Sequence, residues 1–259
     1  MRFYKPMLAK QGKVDFHSLQ ERGHIISGKN IEHLRAQSPA TFIVFDILEK
    51  DGKPLVDLPL IERKAILKDS VKEGSNIIIN DYVEEKGEQF YKAVLQHDLE
   101  GMVAKRKDSA YEQGLRTGSW LKIKNLKTCD CVIFGYSKGT GARESTFGAL
   151  VVGLYDPEGK PVYVAHVGTG YTQQLLDSLM ADFNKLKTTS ATFIARDMEV
   201  VTWIEPKFVC EVIYQVITRD CKLRMPRNHR IRIDKDPSEC TIDQIEGKGK
   251  CFSQSQSKL

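Results

Sequence analysis

The run Cys131-Val132-Ile133-Phe134-Gly135-Tyr136-Ser137, followed by Phe147-Gly148-Ala149-Leu150-Val151-Val152-Gly153-Leu154-Tyr155, is rich in β-branched and aromatic residues and bounded by glycine-rich or polar turns. Such runs read as strands. Val162 to Val167 and Phe208 to Ile217 continue the pattern. One amphipathic helix interrupts them. It starts near the cap residue Thr172 and carries Leu175, Leu176, Leu179, Met180 and Phe183 on one side.

Several strands around a single interposed helix is the pattern of a five-stranded OB barrel. Upstream the texture differs, because strands and helices alternate. Thr41 to Leu48 is a β-rich apolar run, and the Asp51-Gly52 pair in the turn after it suits the positive φ angles of a hairpin. Pro59 opens a helix through about Ser70, with Leu60, Ile66 and Leu67 available to one face. Ile77 to Tyr82 reads as a strand, Glu88 to Gln96 as a short helix and Gly101 to Lys105 as a buried strand. The change falls between Leu126 and Thr128. The expected architecture is α+β, with one domain over 1–126, an OB-fold β-barrel over 127–252 and a flexible Ser/Gln/Lys tail over 253–259.

Composition narrows the functional classes. With 259 residues, 41% hydrophobic and 28% charged, the chain reads as folded, not disordered. No apolar run approaches the ~18–20 residues of a membrane helix. Met1 to Gln11 lacks the pattern of a secretory signal, so a cytoplasmic protein is expected. The six cysteines, at 129, 131, 210, 221, 240 and 251, form no CxxC pair and have no histidine at zinc-finger spacing, which reads as reduced filler. A formal charge of +5 is only mildly suggestive of a polyanionic partner.

Four segments carry chemistry. In order they are Phe42-Ile43-Val44-Phe45-Asp46-Ile47-Leu48 with the following Pro59-Leu60-Ile61-Glu62-Arg63; Glu100-Gly101-Met102-Val103-Ala104-Lys105; Ser119-Trp120-Leu121-Lys122-Ile123-Lys124; and Leu223 through Lys235, LRMPRNHRIRIDK. Each alone has a plain reading: a half-buried strand, a turn into a strand, a solvated strand face, a phosphate-binding surface. Their order and spacing are specific. Together they resemble motifs IIIa, IV, V and VI of the covalent nucleotidyltransferases, and more closely those of ATP-dependent DNA ligases of the archaeal and bacterial repair type. The resemblance runs from about Gly12 to Thr241, and the first domain would then be a partial adenylation domain.

The resemblance implies roles that suit the chemistry of these side chains. Phe45 would stack on adenine, offering apolar area and a π face. Glu100 would help hold Mg²⁺, a hard ion that takes oxygen ligands and keeps much of its shell as phosphate and water. Lys122 and Lys124 would neutralise the α-phosphate as charge builds up during transfer. Arg227, Arg230, Arg232, Asp234 and Lys235 would orient the departing pyrophosphate, a task that suits forked guanidiniums. Lys105, Lys127, Arg227 and Arg230 would contact DNA. Asn228 and His229 stand where family members usually carry apolar residues.

The resemblance also implies a gap. The pattern KxDGxR, whose lysine attacks ATP to form lysyl-AMP, and an LDGE-like strand before the FxxFD strand occur nowhere in the 259 residues. Lys50-Asp51-Gly52-Lys53 is one residue short of the first and lies in the expected hairpin turn. Lys5 to Lys10 resembles the opening of such ligases, and Gly12 to Gln20 the segment just after motif III. The two are joined at Gln11, as though the intervening part were missing. The family implies ATP and Mg²⁺, nicked duplex DNA as partner, a monomer and no membrane, with self-adenylation lost for want of the lysine. Two other readings stand beside it. One is a non-catalytic DNA-binding remnant using the OB-fold and the lysine strand. The other is an RNA-ligase or mRNA-capping relative, which the PLIER helix and the arginine-rich segment disfavour.

Overall fold

The computed structural model describes residues 31–33, 37, 39–193, 200–218 and 220–245. The stretches joined at Gln11 and the tail from Ser253 lie outside them. The chain forms two compact units, one reaching to His97 and including Gly101–Ile123, the other comprising Asp98–Glu100 and everything from Lys124 onward.

In the first unit β1 (Phe42–Val44) pairs in parallel with β4 (Ile77–Ile79). Between them β2 (Glu49–Lys50) and β3 (Lys53–Pro54) form the expected hairpin. Asp51 and Gly52 have φ of 50° and 76°, the pair of positive angles a two-residue turn of this hand requires. Helix α1 (Leu60–Ser70) begins after Pro59 as anticipated. Two of its first free amides are satisfied from a later loop: Leu60 N–H donates to the Ser109 carbonyl and Ile61 N–H to that of Lys107, both at 3.0 Å. Helix α2 (Gly87–Gln96) leads to β5 (Gly101–Lys105), which lies beside β6 (Trp120–Lys124).

Few apolar side chains of this unit are buried among the described residues. Among the described residues its buried apolar side chains are Leu60, Leu67 and Val94, while Ile77 and Val103 stay 40% and 47% exposed. The expectation of a buried strand over Gly101 to Lys105 is therefore corrected. The strand is there, but its middle residues face solvent. Its apolar composition was misleading, because apolar residues are buried only if another layer covers them.

The second unit is an antiparallel sheet of β7 (Lys127–Lys138), β8 (Phe147–Tyr155), β9 (Pro161–Val167), β10 (Val201–Tyr214) and β13 (Arg227–Arg232), in the order β13-β10-β7-β8-β9. A small ladder of β11 (Val216–Ile217) and β12 (Leu223–Arg224) precedes the last strand. Helix α3 (Gln173–Phe183) falls between β9 and β10, and the Thr172 hydroxyl caps it by accepting from Leu175 N–H at 3.2 Å. It buries Leu176, Leu179 and Phe183 against a core that includes Ile133, Phe147, Leu150, Val152 and Val209.

The five strands and interposed helix match expectation, but the closed barrel does not follow. No ladder joins β9 to β13 among the described residues. Among the described residues the two edges are joined at one end. There Asn228 N–H donates to the Thr169 carbonyl at 2.9 Å, and its side-chain amide donates to that of Gly170 at 3.1 Å. Gly170 has φ of +94°, and a Cβ there would meet the Asn228 carbonyl oxygen at 2.1 Å, so only glycine fits. Strand β10 is also longer than its sequence suggests. Pro206 sits where the register with β7 shifts between Trp203 and Phe208, the position at which a strand tolerates a residue without an N–H.

Full burial of a large apolar side chain contributes about 1.5–3 kcal/mol. Several left half wet therefore forgo an appreciable part of the roughly 5–15 kcal/mol that holds a whole domain. Limited proteolysis should accordingly cut first before about Lys127 and leave a resistant fragment beginning there. Uniform resistance together with a single cooperative melt would show that the first unit has a complete core.

Candidate functional site

Asp46 and Arg63 set the geometry of the first unit. The Arg63 side chain has no exposed surface and that of Asp46 only 4%. Nε and Nη2 of Arg63 donate to the two carboxylate oxygens of Asp46, each at 3.0 Å. Nη1 donates to the carbonyls of Leu58 and Ser109. The fork thus ties three chain segments to α1: the residues after β1, the loop before the helix, and the loop after β5. Asp46 also accepts from Ile47 N–H at 2.8 Å. The motif carried both residues, but their pairing was not foreseen. An arginine at the centre of a helix face with Leu60 and Leu67 was the available signal, since an unpaired guanidinium cannot be buried there.

Phe45 immediately precedes Asp46, so the brace anchors the backbone beside it. Phe45 meets Trp120 edge to face at 6.3 Å, and Trp120 meets Tyr111 likewise at 5.6 Å. The Lys105 ammonium lies in the angle between the first two rings, 3.7 Å from the Trp120 centroid and 4.6 Å from that of Phe45. Both distances are within cation–π range. Burial pushes its pKa down to about 8, helped by the charges of Lys64 and Arg63 and opposed by Asp46. Burial also lowers Lys64, against the pull of Asp46 and Asp81. Lys64 donates to the Asn80 carbonyl at 3.3 Å and lies 5.0 Å over the Tyr82 ring. Residues from three of the four segments, Phe45, Lys105 and Trp120, thus form one aromatic notch holding one cation.

Lys122 and Lys124 are exposed on β6 with Ile123 half-buried between them. In the second unit Glu100 is exposed at the surface, and its carboxylate accepts from the side-chain amide of buried Gln215. Among the described residues no group of three or more His, Cys, Asp or Glu could hold a metal ion. Glu100 therefore offers a single hard oxygen ligand, which fits an ion that keeps most of its shell as phosphate and water. Lys127, one of the expected DNA contacts, pairs with Asp98 at 2.6 Å.

The arginine-rich segment is strand β13 and its exit, and most of its charges are matched within the unit. Arg232 Nη1 donates to both Asp130 oxygens at 3.1 and 3.0 Å, while Nε and Nη2 donate to Asp234, each at 2.8 Å. Lys235 donates to Asp130 at 2.9 Å and Arg230 to Glu211 at 2.7 Å. Hydrogen bonding from Arg232 brings the Asp234 pKa down to about 2. Arg227 is exposed and belongs to none of these pairs. Asp130 and Glu211, which organise the strand, were not singled out in the sequence. Each lies a full chain segment away on β7 or β10.

Two family models match. The model described as "ATP dependent DNA ligase domain" covers residues 7–124, and "ATP dependent DNA ligase C terminal region" covers 143–235. A DNA ligase of Thermococcus onnurineus is 39% identical over 230 residues, covering 83% of this chain and 40% of its own length. The multifunctional non-homologous end joining protein LigD of Mycolicibacterium smegmatis is 38% identical over 202 residues, covering 76% of this chain and 26% of its own length. This chain therefore spans well under half of either relative. A solved Lig E DNA ligase structure, 15% identical, superposes with a TM-score of 0.54 over 80% of this chain and 69% of that one, a likeness of fold.

Breaking a buried ion pair by removing one partner costs about 3–5 kcal/mol, because a charge is left unmatched. Arg63→Met should therefore unfold the first unit while the second persists. With Trp203 replaced by Phe, Trp120 emission in a urea titration reports the first unit alone. An unchanged midpoint would show that the pair does not hold it.

Proposed function

Because the chain belongs to the ATP-dependent DNA ligase family, we propose that it keeps the nucleotide platform and the DNA-gripping surface of a nick-sealing ligase. The carrying observation is the notch in which Phe45, Lys105 and Trp120, from three separate motifs, converge on the Asp46–Arg63 brace. Phe45 offers adenine a flat ring on backbone anchored by the ion pair at the next residue. Lys122 and Lys124 hold positive charge toward the α-phosphate of ATP, where it counters charge that develops during transfer. Glu100 would hold Mg²⁺ by one oxygen, and the ion would supply neutralisation of the phosphates. The amide of Gln215 keeps that carboxylate oriented without competing for a cation, since it donates a hydrogen bond.

In the whole protein the reaction is joining of nicks in duplex DNA, in the cytoplasm and by a monomer. The 259-residue chain as it stands lacks a KxDGxR lysine to accept AMP. It therefore binds nucleotide and DNA without forming lysyl-AMP. Duplex DNA is gripped through phosphates by Lys122, Lys124, Arg227 and Arg230. The ion pair of Arg230 with Glu211 is an exposed one, which phosphate can replace at little cost. The matching models are those of DNA ligases, which favours this over a capping or RNA-ligase relative. The missing lysine pattern keeps one second reading alive, a DNA-binding remnant with no nucleotide site.

Labelled ATP with Mg²⁺ should leave no acid-stable AMP on the protein. An adenylate mapped to Lys10, Lys13 or Lys50 would mean that another lysine is placed to attack. Affinity for a nicked duplex should fall steeply with salt, and Arg227→Ala should lower the salt slope by about 1. Binding indifferent to salt would contradict the DNA reading.

A further inference from the structure

The Lys105 ammonium already lies over the Phe45 ring, the surface read as the adenine platform. Its nitrogen lies 3.7 Å from the Trp120 centroid and 4.6 Å from the Phe45 centroid, while those two centroids are 6.3 Å apart. A purine stacked on this side of Phe45 would meet the Lys105 side chain. We propose that Lys105 guards the purine seat, its ammonium and an adenine ring competing for the notch between Phe45 and Trp120. The inference rests on the reading of Phe45 as the adenine platform and adds to it a regulator.

The surroundings explain why the competition can be won. An ammonium over aromatic faces is attracted by their quadrupoles but has given up much of its water. Among the described residues, the charged groups facing it lie on α1 and just after β1. On α1, Lys64 and Arg63 repel it; after β1, Asp46 attracts it. Asp46 is already committed to Arg63 through both of its oxygens, so the net field favours loss of the proton. With its pKa near 8, Lys105 is mostly charged at neutral pH and mostly neutral one unit above that value. A neutral amine has no electrostatic claim on the two rings, and its four-carbon stem can swing aside. Binding of a base and release of a proton are then linked, and purine affinity rises with pH. That direction is opposite to the loss of positive charge that would weaken phosphate binding.

The test uses adenosine, which carries no phosphate, with the full chain and calorimetric titration from pH 6.5 to 9. The wild type should bind about eightfold more tightly at pH 8.5 than at pH 7, following the neutral fraction of a group titrating near 8. Lys105→Met keeps the apolar stem and removes the charge. It should bind at least as tightly as the wild type at pH 8.5 and show no pH dependence. Lys64→Met removes a neighbouring positive charge, so the midpoint of the wild-type rise should move upward. Phe45→Leu, checked for an unchanged circular dichroism spectrum, should lose binding at every pH. If Phe45→Leu binds normally, the adenine platform itself is misassigned. If binding depends on Phe45 but Lys105→Met weakens it, or the wild type is flat with pH, Lys105 supports the base and the guard is refuted.

Discussion

A guanidinium with no exposed surface must be matched on every side, and Arg63 is matched by the two oxygens of Asp46 and the carbonyls of Leu58 and Ser109. The arrangement adds directional bonds to a unit whose described residues bury few apolar side chains. Because Asp46 directly follows Phe45, and Ser109 lies two residues before Tyr111, the same bonds anchor backbone beside two of the rings that meet Trp120. Stability and site geometry in this unit are therefore one property. A substitution that loosens the pair must disturb the notch before it touches any group facing a ligand.

The second unit is built the other way. Its core is continuous and apolar, and Phe183 alone meets the rings of Tyr136, Phe147 and Phe208. Its polar devices sit at the edges. Asn228 draws β13 toward the end of β9, and Asp130 gathers Arg232 and Lys235 beneath the last strand. The residues expected to meet phosphate are thus held in register by carboxylates from neighbouring strands, at the expense of hydrogen-bonding capacity. The donations of Arg232 to Asp130 and Asp234 leave one Nη2 hydrogen for a phosphate, which gains more only by displacing Asp234, the more exposed of the two partners.

Local chemistry was legible in the sequence wherever it is self-sufficient. Asp51-Gly52 dictated a turn, Thr172 a helix start, Pro59 another, and the run from Phe147 to Tyr155 a strand with those bounds. What was not legible depends on partners remote in the chain. The Arg63–Asp46 pair spans 17 residues and the Arg232–Asp130 pair 102, and no periodicity encodes either. Val103 sits in a run apolar enough to suggest burial, yet it is half exposed. Pro206 hid the first half of β10, because a proline reads as an end of a strand unless a register shift accommodates it. Asn228, a departure from the family's apolar residue, is explained only once Thr169 and Gly170 are found opposite it.

We propose that the Asp46–Arg63 pair presents Phe45 to an adenine ring. It is tested most directly by intermolecular nuclear Overhauser contacts between adenosine H2 and H8 and the ring protons of selectively labelled phenylalanines. The expected result is contacts to Phe45 in the wild type. In the double variant Asp46→Leu with Arg63→Met, which empties the brace without stranding a charge, those contacts should be lost. Contacts to a different phenylalanine, or contacts to Phe45 that survive the double substitution, would contradict it.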